Sequence, residues 1–192
     1  RRSCQTAMYH IVEALVRWFA PILSFTADEI WQFIPGDRSE SVFVQQWYSK
    51  LEQIGEQDTL GRDYWSQVMA VKNAVNKETE VQRAEGKVKG SLSTVVTLYC
   101  SEDLLGLLSV LEDELRFVLI CSEASLKPLA EGAAAAESGV AGLRILVEPA
   151  QDEKCVRCWH HRADVGSYAQ HPELCGRCVS NVDGVGEQRR FA

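Results

Sequence analysis

Two Cys-x-x-Cys pairs, Cys155-Val-Arg-Cys158 and Cys175-Gly-Arg-Cys178, lie near the end of this 192-residue sequence. Each two-residue spacer lets one tight turn aim two sulfurs at a common point, and the gap between the pairs suits a structural zinc site. Four thiolates complete a tetrahedron and leave no position open for water or substrate, so the expected role is to build a fold, not to do chemistry. A redox dithiol, a pair of disulfides and chance are the competing readings. Against disulfides, no secretory-type segment opens the sequence, and Cys4, Cys100 and Cys121 stand singly in apolar or mixed stretches. Small buried thiols in a reducing compartment are the simplest account of those three. A zinc ion on Cys155, Cys158, Cys175 and Cys178 is therefore expected. Zinc with four thiolates carries about −2 in charge; Arg157 and Arg177, each immediately before a ligand, are placed to offset that field.

Hydrophobic residues make up 46% of the chain and charged ones 24%, enough to bury a real core in one or two domains. No apolar run approaches the ~20 residues of a membrane-crossing helix, so no membrane partner and a cytoplasmic setting are expected. A net charge of −7 argues against indiscriminate coating of nucleic acid, which rests on Lys and Arg neutralising phosphates. Any such contact is local. The sequence opens on Arg1, and residues 1–18 already read as the interior of a helix, so a piece of a longer chain is expected.

Met8, Ile11, Val12, Leu15, Trp18 and Phe19 share one helical face, and Pro21 ends that helix near Ala20. Thr26 and Glu29 have capping-box spacing for a second helix carrying Ile30, Trp31 and Ile34, stopped by Pro35-Gly36. Capping also accounts for the adjacent carboxylates Asp28 and Glu29, which are not read as an acid/base pair. Residues 41–47 are short and β-prone. Tyr64, Trp65, Val68, Val71 and Val75 predict a long helix to about Glu85, and Gly86 and Gly90 bracket the next turn. Lys87 and Lys89 in that turn are by default a solvated face, with phosphate contact the functional reading. Strands are expected from Ser91, over Leu115 to Cys121, and through Leu143, Ile145 and Val147, with a helix capped by Ser101 after the first. The alanine-rich residues 131–139 read as a surface connection without a function, and 149–154 as a polar linker. No phosphate loop, nucleophile elbow or catalytic carboxylate pair stands out, so no catalytic residue is expected.

The run from Ala20-Pro21-Ile22-Leu23-Ser24-Phe25-Thr26 to Trp31, continued by Ser41-Val42-Phe43 to Trp47, resembles the helical anticodon-binding domain of class I aminoacyl-tRNA synthetases for aliphatic amino acids. The tail from Lys154 through Trp159-His160 and Cys175-Gly-Arg-Cys178-Val-Ser-Asn181 resembles the C-terminal zinc finger of the bacterial isoleucyl-tRNA synthetases. The resemblance implies an α+β, multi-domain chain: the end of a helical anticodon-binding bundle in 1–60, a junction helix with a small α/β domain in 61–149, and a Cys4 zinc finger in 150–192. It implies a ligase that attaches isoleucine to its tRNA with ATP, edits in a separate domain, and works as a monomer in the cytoplasm. The nucleotide-binding signatures and the editing domain are absent here, so ATP is used outside this segment, and the expected partners are isoleucine tRNA and the rest of the synthetase.

Single-stranded RNA offers splayed bases with stackable faces and exposed edges. Trp159 supplies a stacking plane and Arg157 a forked pair of hydrogen-bond donors, roles that the resemblance supports. A hydrophobic cap over the metal is the alternative for Trp159. His160, His161 and His171 are read as surface or RNA-facing, because four thiolates already fill the tetrahedron. Arg162, Arg177, Arg189 and Arg190 are candidate phosphate contacts, as are Lys87 and Lys89. Two other functions remain open on the residues: the nucleic-acid-binding zinc finger of a DNA-repair glycosylase, and a purely structural zinc clip docking the tail on the enzyme body.

Overall fold

The apolar spacing that predicts the first helix does form one, but the face it buries is another. A computed structural model describes residues 2–53 and 60–191, and the chain divides into two units, Arg1–Glu56 and Gln57–Ala192. In the first unit, α1 (Arg2–Phe19) packs on α2 (Ser24–Phe33) through Val16, Ala20, Ala27, Trp31 and Ile34, with Val42 closing the cluster. Met8, Ile11, Trp18 and Phe19 of the expected stripe are exposed by 54, 52, 42 and 43%. The side of α1 turned inward instead carries Glu13, Ala14 and Val16, with Ala20 buried just past its end.

Glu13 is only 3% exposed, and its carboxylate is paired with Arg17 at 2.5 Å and with Arg38. Both guanidiniums lie over the Trp31 ring, 4.8 and 4.4 Å from its centroid. Two cations against one aromatic ring need a carboxylate beside them, and Glu13 provides it.

The capping box is not where the spacing puts it. Helix α2 starts at Ser24, so Thr26 and Glu29 lie inside it and no side chain caps its first turn. Asp28 works differently: its carboxylate accepts from the Ser41 hydroxyl at 2.6 Å and the Val42 N–H at 3.1 Å. These bonds, and the Ser41 hydroxyl accepting from Phe43 N–H, wind Val42–Val44 into a 3-10 turn, so the β-prone stretch 41–47 forms no strand.

In the second unit, α3 (Arg62–Ala84) presents Val68, Val71 and Val75 to the main core. Its end follows from Gly86, whose φ of +74° suits a residue without Cβ. Gly86 N–H donates to the Arg83 carbonyl at 2.9 Å and Lys87 N–H to the Gln82 carbonyl at 3.0 Å, a Schellman pair. Gly86→Ala is expected to lose about 1–2 kcal/mol, read as a lower urea midpoint at unchanged slope; an unchanged midpoint would contradict this account.

The sheet follows in the order β2-β1-β4-β3, from β1 (Thr94–Cys100), β2 (Glu123–Pro128), β3 (Ala136–Glu137) and β4 (Leu143–Pro149). β1 runs parallel to β2 and antiparallel to β4, and Val96, Leu98 and Cys100 sit opposite Val147, Ile145 and Leu143. That face meets the α3 valines and Leu104 and Leu108 of α4 (Glu102–Ser109) in one core. Ser101 stands at the N-cap position of α4 but makes no side-chain cap bond.

The strand expected over Leu115 to Cys121 is instead α5 (Leu115–Leu119). Leu115 and Leu119, four residues apart, both reach the core, and Ile120 at φ +58° breaks the turn before β2 begins. Within the alanine-rich segment, Ala136 and Glu137 pair with Ile145 and Arg144 as an edge strand. The α+β class expected from the sequence holds. Of the three expected segments, the boundary after residue 60 adjoins 54–59, which lie outside the described residues. The segments 61–149 and 150–192 share the second unit.

Candidate metal centre and nucleic-acid interface

Cys155 begins a tight hairpin: its N–H donates to the His160 carbonyl and its own carbonyl accepts from Trp159 N–H, both at 2.9 Å. Lys154 and His161 pair antiparallel at the base of that hairpin. The reversal requires Trp159 to adopt φ +66°, a left-handed conformation rare for a bulky residue. The second knuckle opens α6 (Gly176–Asp183), with Cys175 at its N-cap and Cys178 in its first turn. Gly176 donates its N–H to an Asp164 carboxylate oxygen at 2.8 Å. A Cβ there would stand 2.7 Å from that oxygen and 2.4 Å from the Tyr168 hydroxyl, which is why the spacer is glycine.

The four sulfurs lie within 4.8 Å of one another, and Cys158 and Cys175 are 3.7 Å apart. A tetrahedron with bonds of ~2.3 Å has edges of about 3.8 Å, so the set fits one zinc-sized ion. Charge points the same way. Burial, with the Cys158 charge beside it, pushes the Cys175 thiol up to about 12. Burial would also raise Cys158, but hydrogen bonding from His160, aided by Arg177, holds it down to about 5. Four thiolates therefore require a cation among them. Arg157 supplies part of the positive field, donating to Cys178 sulfur at 3.6 Å. By contrast, burial alone pushes Cys100 up to about 11, and it dominates in taking Cys121 to about 12, as expected for inert core thiols.

Of the residues expected to meet RNA, Arg157 and Trp159 are exposed together on the first knuckle. The Trp159 indole is 59% exposed, with Lys154 nitrogen 5.3 Å from its centroid. It does not cap the metal site. His160 is a correction: it is 7% exposed, packed edge-on against Phe117 at 5.7 Å, and so unavailable as a surface contact. Its backbone position in the hairpin turns the ring inward while its neighbour Trp159 turns out. His171 pairs with Asp183, and His161 bonds the Asp152 carbonyl at 2.7 Å.

The arginines are more occupied than their sequence context suggests. Arg177 pairs with Glu187 at 3.0 Å and lies 5.1 Å from the Phe117 centroid, while Arg189 pairs with the same Glu187 and sits 3.8 Å from that ring. Arg162, half-buried, donates to the Ser122 carbonyl at 3.3 Å. These three line a cleft of about 440 Å³ between α5 and the finger. Lys87 and Lys89 are exposed on another element, after α3, and Lys87 pairs with Glu85 at 2.6 Å. Phe117 and Ser122, which join the finger to the sheet, went unnoticed in the sequence because each lies in or beside the run read as a strand.

Residues 1–98 match the family described as the anticodon-binding domain of tRNA ligase, and residues 152–181 match the zinc finger found in FPG and IleRS. Along its whole length the chain is 56% identical to the isoleucine–tRNA ligases of Stutzerimonas stutzeri (strain A1501) and Pseudomonas aeruginosa (strain UCBPP-PA14). It is 54% identical to that of Marinomonas sp. (strain MWYL1). The chain spans about a fifth of the length of these curated relatives: 20% of the first two and 21% of the third.

Proposed function

Because this chain belongs to the anticodon-binding-domain family of tRNA ligases, we propose that it is the C-terminal, tRNA-binding part of an isoleucine–tRNA ligase. The whole enzyme would join isoleucine to its tRNA with ATP, as a cytoplasmic monomer, with its catalytic and editing centres outside this chain. Cys155, Cys158, Cys175 and Cys178 would hold one structural zinc, which when bound fixes the two knuckles against each other. No helix among the described residues is long and apolar enough to cross a membrane.

The observation that carries this reading is the exposed Trp159 indole beside Arg157, on the hairpin that bears two of the four converging thiols. An unpaired anticodon base can stack on the indole, and the Arg157 guanidinium, which donates one N–H group to the Cys178 sulfur, can meet a base edge or a phosphate with others. Lys87, Lys89 and Arg162 are proposed as weaker phosphate contacts. Arg177, held by Glu187 and Phe117, is assigned mainly to keeping the finger in place, with any RNA contact secondary. Residues 150–192 act as the reading head and 61–149 as the body that carries it.

Trp159→Ala is expected to weaken binding of isoleucine tRNA by roughly 10- to 100-fold, the usual size of one lost base stack, while metal content stays at one ion per chain. Filter binding with isoleucine tRNA and a mismatched tRNA reads this directly. Unchanged affinity with zinc retained would favour the structural clip, which the packing of His160 and Arg177 on Phe117 also suits. A repair glycosylase is disfavoured by the match of the first half to the anticodon-binding domain.

A further inference from the structure

Every polar group of Ser122 is used, and two separate segments use it. The residue is 0% exposed, between α5 and β2. Its N–H donates to the Thr94 carbonyl at 2.9 Å, at the start of β1. Its hydroxyl donates to the Leu92 carbonyl at 2.5 Å and accepts from His161 N–H at 2.6 Å. Its carbonyl accepts from Arg162. One hydroxyl thus bridges the sheet and the base of the knuckle hairpin, and it does so by donating and accepting at a single atom, which a methyl group cannot do.

His161 lies two residues beyond Trp159, on the same hairpin, whereas Gln151, Asp152 and Glu153 leading into it are exposed. That approach segment bonds the hairpin itself, Arg162 N–H donating to the Glu153 carbonyl and the His161 ring meeting the Asp152 carbonyl, so the two move as one piece whose own tie to the sheet is Ala150 N–H on the Ser93 carbonyl. Three contacts hold the hairpin on that side: the Ser122 hydroxyl at the His161 N–H, the Ser122 carbonyl at the Arg162 guanidinium and the Phe117 ring at His160. Only the Ser122 hydroxyl grips the hairpin's main chain; the other two contacts end on the Arg162 and His160 side chains, which can swivel as the hairpin turns.

We propose that Ser122 is a positioning residue for tRNA recognition, fixing the angle at which the hairpin presents Trp159. The inference rests on the tRNA-binding reading above. Ser122 touches no RNA; it acts through the His161 backbone. Removing its hydroxyl leaves the Leu92 carbonyl and the His161 N–H without their partner in a dry site, and the hairpin then turns to find water or other partners.

The test is Ser122→Ala in the full-length ligase, alone and together with Trp159→Ala. With one zinc per chain retained, the single variant is expected to raise KM for isoleucine tRNA about tenfold and leave kcat within about twofold, the signature of lost uniform binding. Amide exchange over 155–162 should quicken. In the Trp159→Ala background the same change should add little, because the angle no longer matters once the indole is gone. Ser122→Thr, which keeps the hydroxyl, should stay near the parent KM. An unchanged KM in Ser122→Ala, or effects that simply multiply in the double variant, overturns the inference while a weakened Trp159→Ala leaves the tRNA reading intact. Loss of zinc or of folded enzyme in Ser122→Ala overturns it too, since the residue would then hold the fold and not the angle. If Trp159→Ala itself binds tRNA normally, the underlying reading fails and the inference falls with it.

Discussion

Cys178→Ser, or exhaustive chelation, is expected to unfold residues 155–183 and to abolish binding of isoleucine tRNA. The reason is how little else the finger has. Its buried cluster consists of Cys155, Cys175 and Cys178, with Cys158, Val165 and Leu174 against them, and α6 is only eight residues long. Isolated helices of that length are marginal in water, and so few apolar contacts do not offset chain entropy. Structural zinc in comparable small folds contributes roughly 10–16 kcal/mol, far more than those contacts. Elemental analysis should therefore fall from one zinc per chain to none, with loss of far-UV helix signal and of tRNA retention on filters in the same samples. Because Glu114, Phe117 and Ser122, in and around α5 just before β2, reach into the finger and tail, β2 should also lose amide protection. A metal-free variant that still binds tRNA with parental affinity would overturn this account.

Glu13→Gln should destabilise the first unit by about 3–5 kcal/mol near neutral pH, the usual result of removing one partner from a buried ion cluster. Burial alone would raise the Glu13 pKa. Hydrogen bonds from Arg38, Arg17 and Tyr9 outweigh it and bring the carboxyl from 4.5 to about 2. That difference corresponds to ~3 kcal/mol, in line with the figure from the lost partner. Since the folded value lies below the unfolded one, the stabilisation is complete above about pH 4.5 and is lost as pH falls towards 2. Urea midpoints of parent and variant should then be far apart at pH 7 and converge between pH 4 and 2. A gap that stays constant across that range would show that the charge of Glu13 is not the source.

What could be read from the sequence was what is decided locally. The cysteine pairs are visible because a two-residue spacer is itself the geometry, and the sulfurs do converge. The long α3 and the strands β1 and β4 are visible because their periods persist over enough residues to separate 3.6 from 2. Helix α5 was not, since five residues with apolar positions at both ends fit either period, and only Leu115 and Leu119 meeting the same core decides it. The buried face of α1 depends on which partner arrives, and the Arg17, Arg38 and Trp31 stack drew in Glu13 where the apolar stripe alone pointed elsewhere. His160 looked like a surface residue because its burial comes from Phe117, more than forty positions earlier in the chain.

The left-handed backbone at Trp159 bears on why that side chain is there at all. Such a conformation costs roughly 1–2 kcal/mol in any residue with a Cβ, and glycine would relieve it. The Lys154 ammonium over the indole is worth ~0.5–1 kcal/mol at an exposed site, less than that cost. On the tRNA-binding reading proposed above, a base stacked on the exposed plane would supply what that one contact does not.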